Sequence, residues 1–139
     1  MNRYSGFMPN LRSCKTAEDC LRNSEIWLSS PKRNLSEVSS FIEAISHRTG
    51  ETVELIPCAL GIILDEKGEM LLLKRRIDAG SYPDSYSFPG GQLEEHDENL
   101  EAAVLRETEQ ETGLQTKISR HHSTRFAEFN PETHTKYHP

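Results

Sequence analysis

The sequence predicts an α/β fold, helices packed against a sheet, on three observations. Apolar residues recur at helical spacing up to Gly50 and at strand spacing after it. A glycine pair, a helical pattern and a closing glycine follow one another between Gly90 and Gly113. The chain has 139 residues, of which 35% are hydrophobic and 27% charged, enough for one domain with an attachment and little spare core material. The expected division is a helical extension over residues 1–50 and an α/β domain over 51–139.

In chain order, Thr16 can cap a helix running to about Leu28, and Pro31 enforces a break. Asn34 with Glu37 has the spacing of a capping box for a second helix, in which Leu35, Val38, Phe41, Ile42 and Ile45 form a buried stripe and Gly50 is the stop. These helices are expected to pack on the sheet or make a dimer contact. Val53–Ile56 and Cys58–Leu64 read as strand with Pro57 marking an edge or bend. Asp65-Glu66-Lys67-Gly68 reads as a hairpin loop, and Glu69–Arg75 as its return. Asp78–Ser85, with Gly80 and Pro83, is a loop that delivers Tyr86 and Phe88 toward the glycine pair. Gln115–Phe129 supplies a strand or bent pair, residues 130–133 a turn, and residues 134–139 the beginning of another strand.

Charge is concentrated in one place. Residues 94–112 hold eight carboxylates and one arginine, a balance of -7 against -6 for the whole chain. On a helix starting near Asp97 or Glu98, Leu100, Ala103 and Val104 form an inward stripe that Glu107 and Glu111 continue. Buried carboxylates need compensation, and the last helical turn disfavours negative charge. Glutamates one turn apart can hold a hard cation through oxygen. The alternative is a surface helix whose stripe leaves the core after Val104, so that both glutamates reach water. Gly113 suits a left-handed cap.

These residues resemble the Nudix box, which reads Gly, five residues, Glu, seven residues, Arg-Glu, an aliphatic, any residue, Glu-Glu, any residue, Gly, aliphatic. From Glu98 the chain follows it through Arg106-Glu107, Thr108 in the aliphatic slot, Glu109, Gln110-Glu111, Thr112 and Gly113-Leu114. Leu71-Leu72-Leu73-Lys74-Arg75-Arg76 and Ser87-Phe88-Pro89-Gly90-Gly91 are similar to the approach to that box, so the resemblance spans about 55–137. It implies a Nudix-like α/β/α sandwich with a mixed sheet.

Three departures shape the expectations. Six residues separate Gly91 from Glu98, so either the loop is one residue longer or Asp97 fills the acidic slot, with eight residues between it and Arg106. The second spacing is similar to the coenzyme A diphosphatase branch, although Gly80 and Asp84 stand where that branch has an arginine and a glycine. Gln110 replaces the first glutamate of the pair, a weaker ligand for a hard cation, and Glu109 points to the opposite helix face. Finally, family members continue through more strands and a second helix. Only residues 115–139 follow Leu114 here, so the last strand or strands and helix are expected to be lacking, as in a fragment, a shortened relative or a protein completed by its partner.

The resemblance implies attack of water on a phosphoanhydride in a nucleoside diphosphate linked to another group: a nucleoside triphosphate, coenzyme A, ADP-ribose or a dinucleotide. It implies a Mg2+-dependent pyrophosphohydrolase, with Mn2+ as a substitute. Arg106, Glu107 and Glu111 are the expected catalytic residues, with Arg106 orienting the carboxylates. Gly91, Glu107, Gln110 and Glu111 surround the metal, while Arg75, Gly90 and Gly91 meet a nucleotide-type substrate. The competing reading is a Nudix-like module that binds a nucleotide or partner without turning it over. Gln110 and the missing C-terminal region favour binding; Arg106, Glu107 and Glu111 favour an enzyme.

Other signals narrow the classes. Net acidity argues against general nucleic-acid binding. No apolar run approaches about 18 residues, and no apolar signal core follows the N-terminus, so the expectation is no membrane association and a cytoplasmic location. Cys14, Cys20 and Cys58 are expected as buried or free thiols, without zinc spacing. Trp27 is expected in the core. Tyr82 or Tyr86 can stack on a base or simply pack, and Arg75 and Arg76 can steer a diphosphate or merely face solvent. His121, His122, His134 and His138 are expected on exposed strand and turn positions. A homodimer through the N-terminal helices is one expected assembly.

Overall fold

The computed structural model describes residues 8–80 and 82–122, together with the short strands 128–130 and 135–137. Thr16 caps α1 (Ala17–Asn23), its hydroxyl oxygen accepting from Asp19 N at 3.1 Å. The expected single helix to Leu28 is instead two. Ser24, at φ -108° and ψ 11°, donates its N–H to Leu21 O at 3.2 Å and separates α1 from α2 (Glu25–Leu28). In α3 (Leu35–Thr49) the capping box forms in both directions. Asn34 Oδ1 accepts from Glu37 N at 2.8 Å, Glu37 Oε1 accepts from Asn34 N at 3.2 Å, and Gly50 closes the helix at φ 74°.

The stripe of α3 buries Val38, Phe41 and Ile45, while Leu35 and Ile42 are half-buried at its margins. Phe41 and Ile45 meet Trp27, Leu28, Ala17, Cys14 and Cys20 in one apolar cluster, with Leu11, Leu21, Val53 and Leu55 packed around it. Trp27 and Phe41 rings lie 5.3 Å apart. Arg33 is buried over the Trp27 ring at 4.2 Å, donates from Nε to Trp27 O at 3.0 Å, and pairs with Glu37 at 2.8 Å. The expectation of thiols throughout fails for Cys14 and Cys20, which form a disulfide across a Cα separation of 5.4 Å. The approach to α1 folds back over its second turn and brings together residues that looked unrelated in sequence. Cys58 stays outside the disulfide, exposed on its strand.

The strands are shorter than expected. β1 (Cys58–Leu60) pairs antiparallel with β4 (Gly90–Gln92), and β2 (Leu73–Lys74) with β3 (Tyr86–Ser87). The hairpin loop turns on Asp65, whose Oδ1 accepts from Lys67 N and Glu69 N at 2.8 and 2.9 Å. Leu64 bridges Met70 beyond it, and Leu71 N donates to Ile63 O. Residues 53–56 are outside any strand. β5 (Glu128–Asn130) pairs with β6 (Thr135–Tyr137). Among the described residues every strand pair is therefore antiparallel, in three small ribbons, and the expected single mixed sheet is not formed. Residues 131–133, His134 and His138 lie outside the described residues, and His121 and His122 are exposed. No helix among the described residues is long and apolar enough to cross a membrane.

Candidate active site

α4 (Leu100–Thr112) carries the site, lying against β1 and β4. It begins at Asn99, not at Asp97 or Glu98 as expected: Asn99 Oδ1 accepts from Ala102 N at 3.0 Å. Gly113 ends the helix at φ 74°. Ala103, Val104 and Thr108 form its buried stripe, so threonine occupies the aliphatic slot as a core residue. Gly61 makes the close approach feasible, since a Cβ there would stand 3.3 Å from Val104 Cγ2 and 3.5 Å from Thr108 Oγ1.

The glycine pair meets the helix from the other side. A side chain at Gly90 would collide with Ala59 O and come within 2.8 Å of Leu60 Cα. At Gly91 a Cβ would stand 2.7 Å from both Cδ and Oε1 of Glu107. The missing side chain is thus the space that the Glu107 carboxylate fills. One helical turn on, Glu111 Oε1 accepts from Gly90 N at 3.1 Å. The two carboxylates therefore meet the glycine pair together. Their burial differs from the expected pair of core-facing positions: Glu107 is 20% exposed, whereas Glu111 lies beyond the buried stripe and reaches water.

Arg106 organises the surroundings. Its Nε and Nη2 grip Asp97 at 2.8 and 2.9 Å, Nη2 also donates to Gln92 O at 3.2 Å, and Nη1 donates to Glu107 Oε1 at 2.9 Å. Nη1 further reaches Gln110 Oε1 at 3.3 Å, which turns that amide oxygen toward the arginine. Asp97, with its side chain 3% exposed, also accepts from Glu94 N at 2.9 Å. The hydrogen bonds from Arg106 dominate its titration; they outweigh burial and, with the Glu94 backbone bond, lower its pKa to about 2. Arg106 is in turn held in its charged form, chiefly by Asp97. Of the two acidic residues offered by the spacing, Asp97 faces Arg106 and Glu98 is exposed.

Glu111 also borders a groove of about 680 Å³ lined by Leu73, Lys74, Arg75, Arg76, Asp78, Ala79 and Ser87. Arg75 is half-buried there, and its backbone N–H is fixed on Ser85 O at 2.7 Å. Asp78 engages Arg76 through two 2.9 Å hydrogen bonds, and Asp84 pairs with Lys74 at 3.2 Å. The loop between them holds Tyr82 and Asp84 at positive φ, 47° and 57°. Tyr86 is exposed, with Lys74 Nζ 5.9 Å from its ring.

Sequence reasoning grouped Arg106, Glu107, Glu111, Gly90 and Gly91, and these do come together. It did not foresee the double grip on Asp97 or that Glu111 joins the glycine pair to the basic groove. Only the spacing of Asp97 and Arg106 hinted at the first; the second depends on the fold of the 76–85 loop. Among the described residues no three His, Cys, Asp or Glu side chains converge as a metal cluster. Two carboxylates against a backbone cradle nevertheless suit a cation that completes its shell with water and substrate phosphates, as Mg2+ does.

The family model described as NUDIX domain matches residues 55–138, more than half of the chain. No curated protein and no solved structure matches it. The glycine pair, the helix against it and the extent of that match lead to one conclusion: the chain belongs to the Nudix family.

Proposed function

We propose that this chain is a Mg2+-dependent hydrolase that cleaves a phosphoanhydride in a nucleotide-type small molecule in the cytoplasm. Mn2+ is expected to replace Mg2+. Residues 51–139 carry the activity and residues 1–50 are a helical extension. The observation that carries the reading is the double position of Glu111, which binds Gly90 N beside Glu107 and also borders the groove of Lys74, Arg75 and Arg76. Carboxylates for a cation and cations for a diphosphate thus share one edge.

Glu107 and Glu111 would hold the metal beside Gly91; Gln110, engaged by Arg106, contributes weakly or indirectly. When bound, the cation neutralises diphosphate charge and lowers the pKa of a bound water. The chain's own groups do the positioning. Arg106 fixes Glu107 while Asp97 fixes Arg106, and the Gly90 N–H orients Glu111. Arg75 in the groove attracts and aligns the diphosphate.

The test is hydrolysis of nucleoside triphosphates, ADP-ribose, dinucleoside polyphosphates and coenzyme A with Mg2+. At least one should be cleaved, with activity abolished by chelator and lowered at least about 100-fold in Glu111→Gln. Unchanged turnover in that variant would overturn the assignment. The second reading, a binding module, is favoured by the engagement of Gln110 with Arg106, which leaves the site a carboxylate poorer than the family pattern. Mg2+-dependent binding of one of these ligands without cleavage would establish it instead.

A further inference from the structure

The Cys14–Cys20 bond fastens a segment that other contacts already hold. Arg48 donates from Nη2 to Arg12 O at 2.6 Å and from Nε to Cys14 O at 3.3 Å. Thr16 caps α1, and Glu51 Oε2 accepts from Ala17 N at 2.6 Å. Leu11 packs on the apolar cluster in which both cysteines are buried. The cysteines stand only six positions apart, and a bond closing so small a loop stabilises less than one closing a long loop.

The same surroundings suit the reduced pair. Leu11 O stands 3.0 Å from Cys14 Sγ, within reach of a thiol proton. A disulfide sulfur has no proton to donate, whereas a thiol has one. A reduced Cys14 therefore meets an acceptor, and Cys20 keeps the apolar neighbours that suit a small sulfur side chain. The route to the bond is also short. Arg12, Ser13, Lys15 and Thr16 are exposed around Cys14, so local opening of one surface segment uncovers the sulfurs.

We propose that Cys14 and Cys20 form a reversible thiol–disulfide switch that sets how firmly residues 11–16 are held to the α1–α3 unit. The co-reactant is a dithiol. Its thiolate attacks one cysteine sulfur, the S–S bond breaks, and a mixed disulfide forms. The second thiolate of the dithiol then displaces the cysteine from that mixed disulfide. Two electrons and two protons pass to Cys14 and Cys20, and the dithiol leaves as its own disulfide. Exchange with the oxidised dithiol runs the same steps backward and restores the bond. The contacts of Arg48 and Glu51 keep the two thiols in register for that return. Cys58, exposed on β1, lies outside the switch.

The test equilibrates the full chain in mixtures of reduced and oxidised dithiothreitol, then denatures it and counts thiols by alkylation and mass. The oxidised protein should take one label, at Cys58, and the reduced protein three. The reduced chain should keep its circular dichroism. Its folding constant, followed through Trp27, should fall roughly 50-fold, the effect of releasing a small closed loop. Amide protection should drop over residues 11–23 and hold level in α4. Cys20→Ala should reproduce the reduced state and ignore dithiothreitol, while Cys58→Ala should respond as the wild type does. If Cys20→Ala fails to fold, reduction of the wild type decides. Reduction that unfolds the chain overturns the proposal, because the bond is then a permanent staple. So does an unchanged folding constant, three labels in the oxidised mixture, or re-oxidation that pairs Cys58.

Discussion

The α1–α3 unit and the α4 site are built from opposite materials. The first is held by Phe41, Ile45, Trp27 and Leu28 around a disulfide, with one buried cation, Arg33, lying on an aromatic ring. The second buries only Ala103, Val104 and Thr108 from its helix and relies on Arg106, which joins Asp97, Glu107, Gln110 and the backbone of Gln92. Apolar packing stabilises without direction and is insensitive to pH. A charge network fixes directions, which a site needs, and it depends on protonation. Glu101 pairs with Lys32 at 2.6 Å between the two regions, an exposed contact that couples them only weakly.

The strongest way to break the contrast is Phe41→Ala, a fully buried ring removed from the apolar unit. The expected loss is about 3–5 kcal/mol, read by denaturation with Trp27, the only tryptophan, as the probe. Amide protection in α4 should fall less than the Trp27 transition if the regions are separately held. Equal losses in both would show a single cooperative core.

Next in size is Asp97→Asn, which removes the carboxylate that Arg106 grips through two nitrogens and leaves it Glu107 as its close charged partner. The expected cost is about 3 kcal/mol, the lower end for a broken buried pair because Arg106 is 18% exposed. It should appear first in α4 amide exchange and in the position of Glu107. Acid should imitate it. With its pKa lowered to about 2 in the fold, Asp97 contributes its full stabilisation above about pH 4, and that contribution disappears as pH falls through about 2. On acidification α4 protection should therefore decline before Trp27 fluorescence shifts. The reverse order would contradict the division into apolar and charged regions.

The same division explains how much the sequence disclosed. α3 was legible because its signals are local: Asn34 and Glu37 satisfy each other three residues apart, and Gly50 supplies a left-handed stop. The box helix was legible through its spacing and Gly113, but Asp97, Glu98 and Asn99 offered three consecutive residues near its start. Tertiary contact decided among them, since Arg106 drew Asp97 away from the helix and Asn99 took the cap. Ser24 interrupted an otherwise acceptable helical pattern, and the Cys14–Cys20 bond needed a chain reversal that no spacing rule announces. Short ribbons replaced the expected longer strands, because alternation specifies which face a residue takes without specifying how long pairing persists. The groove depends on side chains from β2, β3, the 76–85 loop and α4, and so it became visible only in three dimensions.

Glu107 and Glu111, set against Gly90 and Gly91, are the proposed cation site of this Nudix chain. Its most direct test is thermal denaturation with increasing Mg2+, comparing wild type with Glu111→Gln and following α4 as well as Trp27. The wild type should be stabilised by up to about 2.7 kcal/mol when Mg2+ reaches a hundred times its Kd, with the gain concentrated in α4. Glu111→Gln should lose most of that shift while keeping its fold in the absence of metal. Equal shifts in the two proteins, or no shift in the wild type, would contradict the claim.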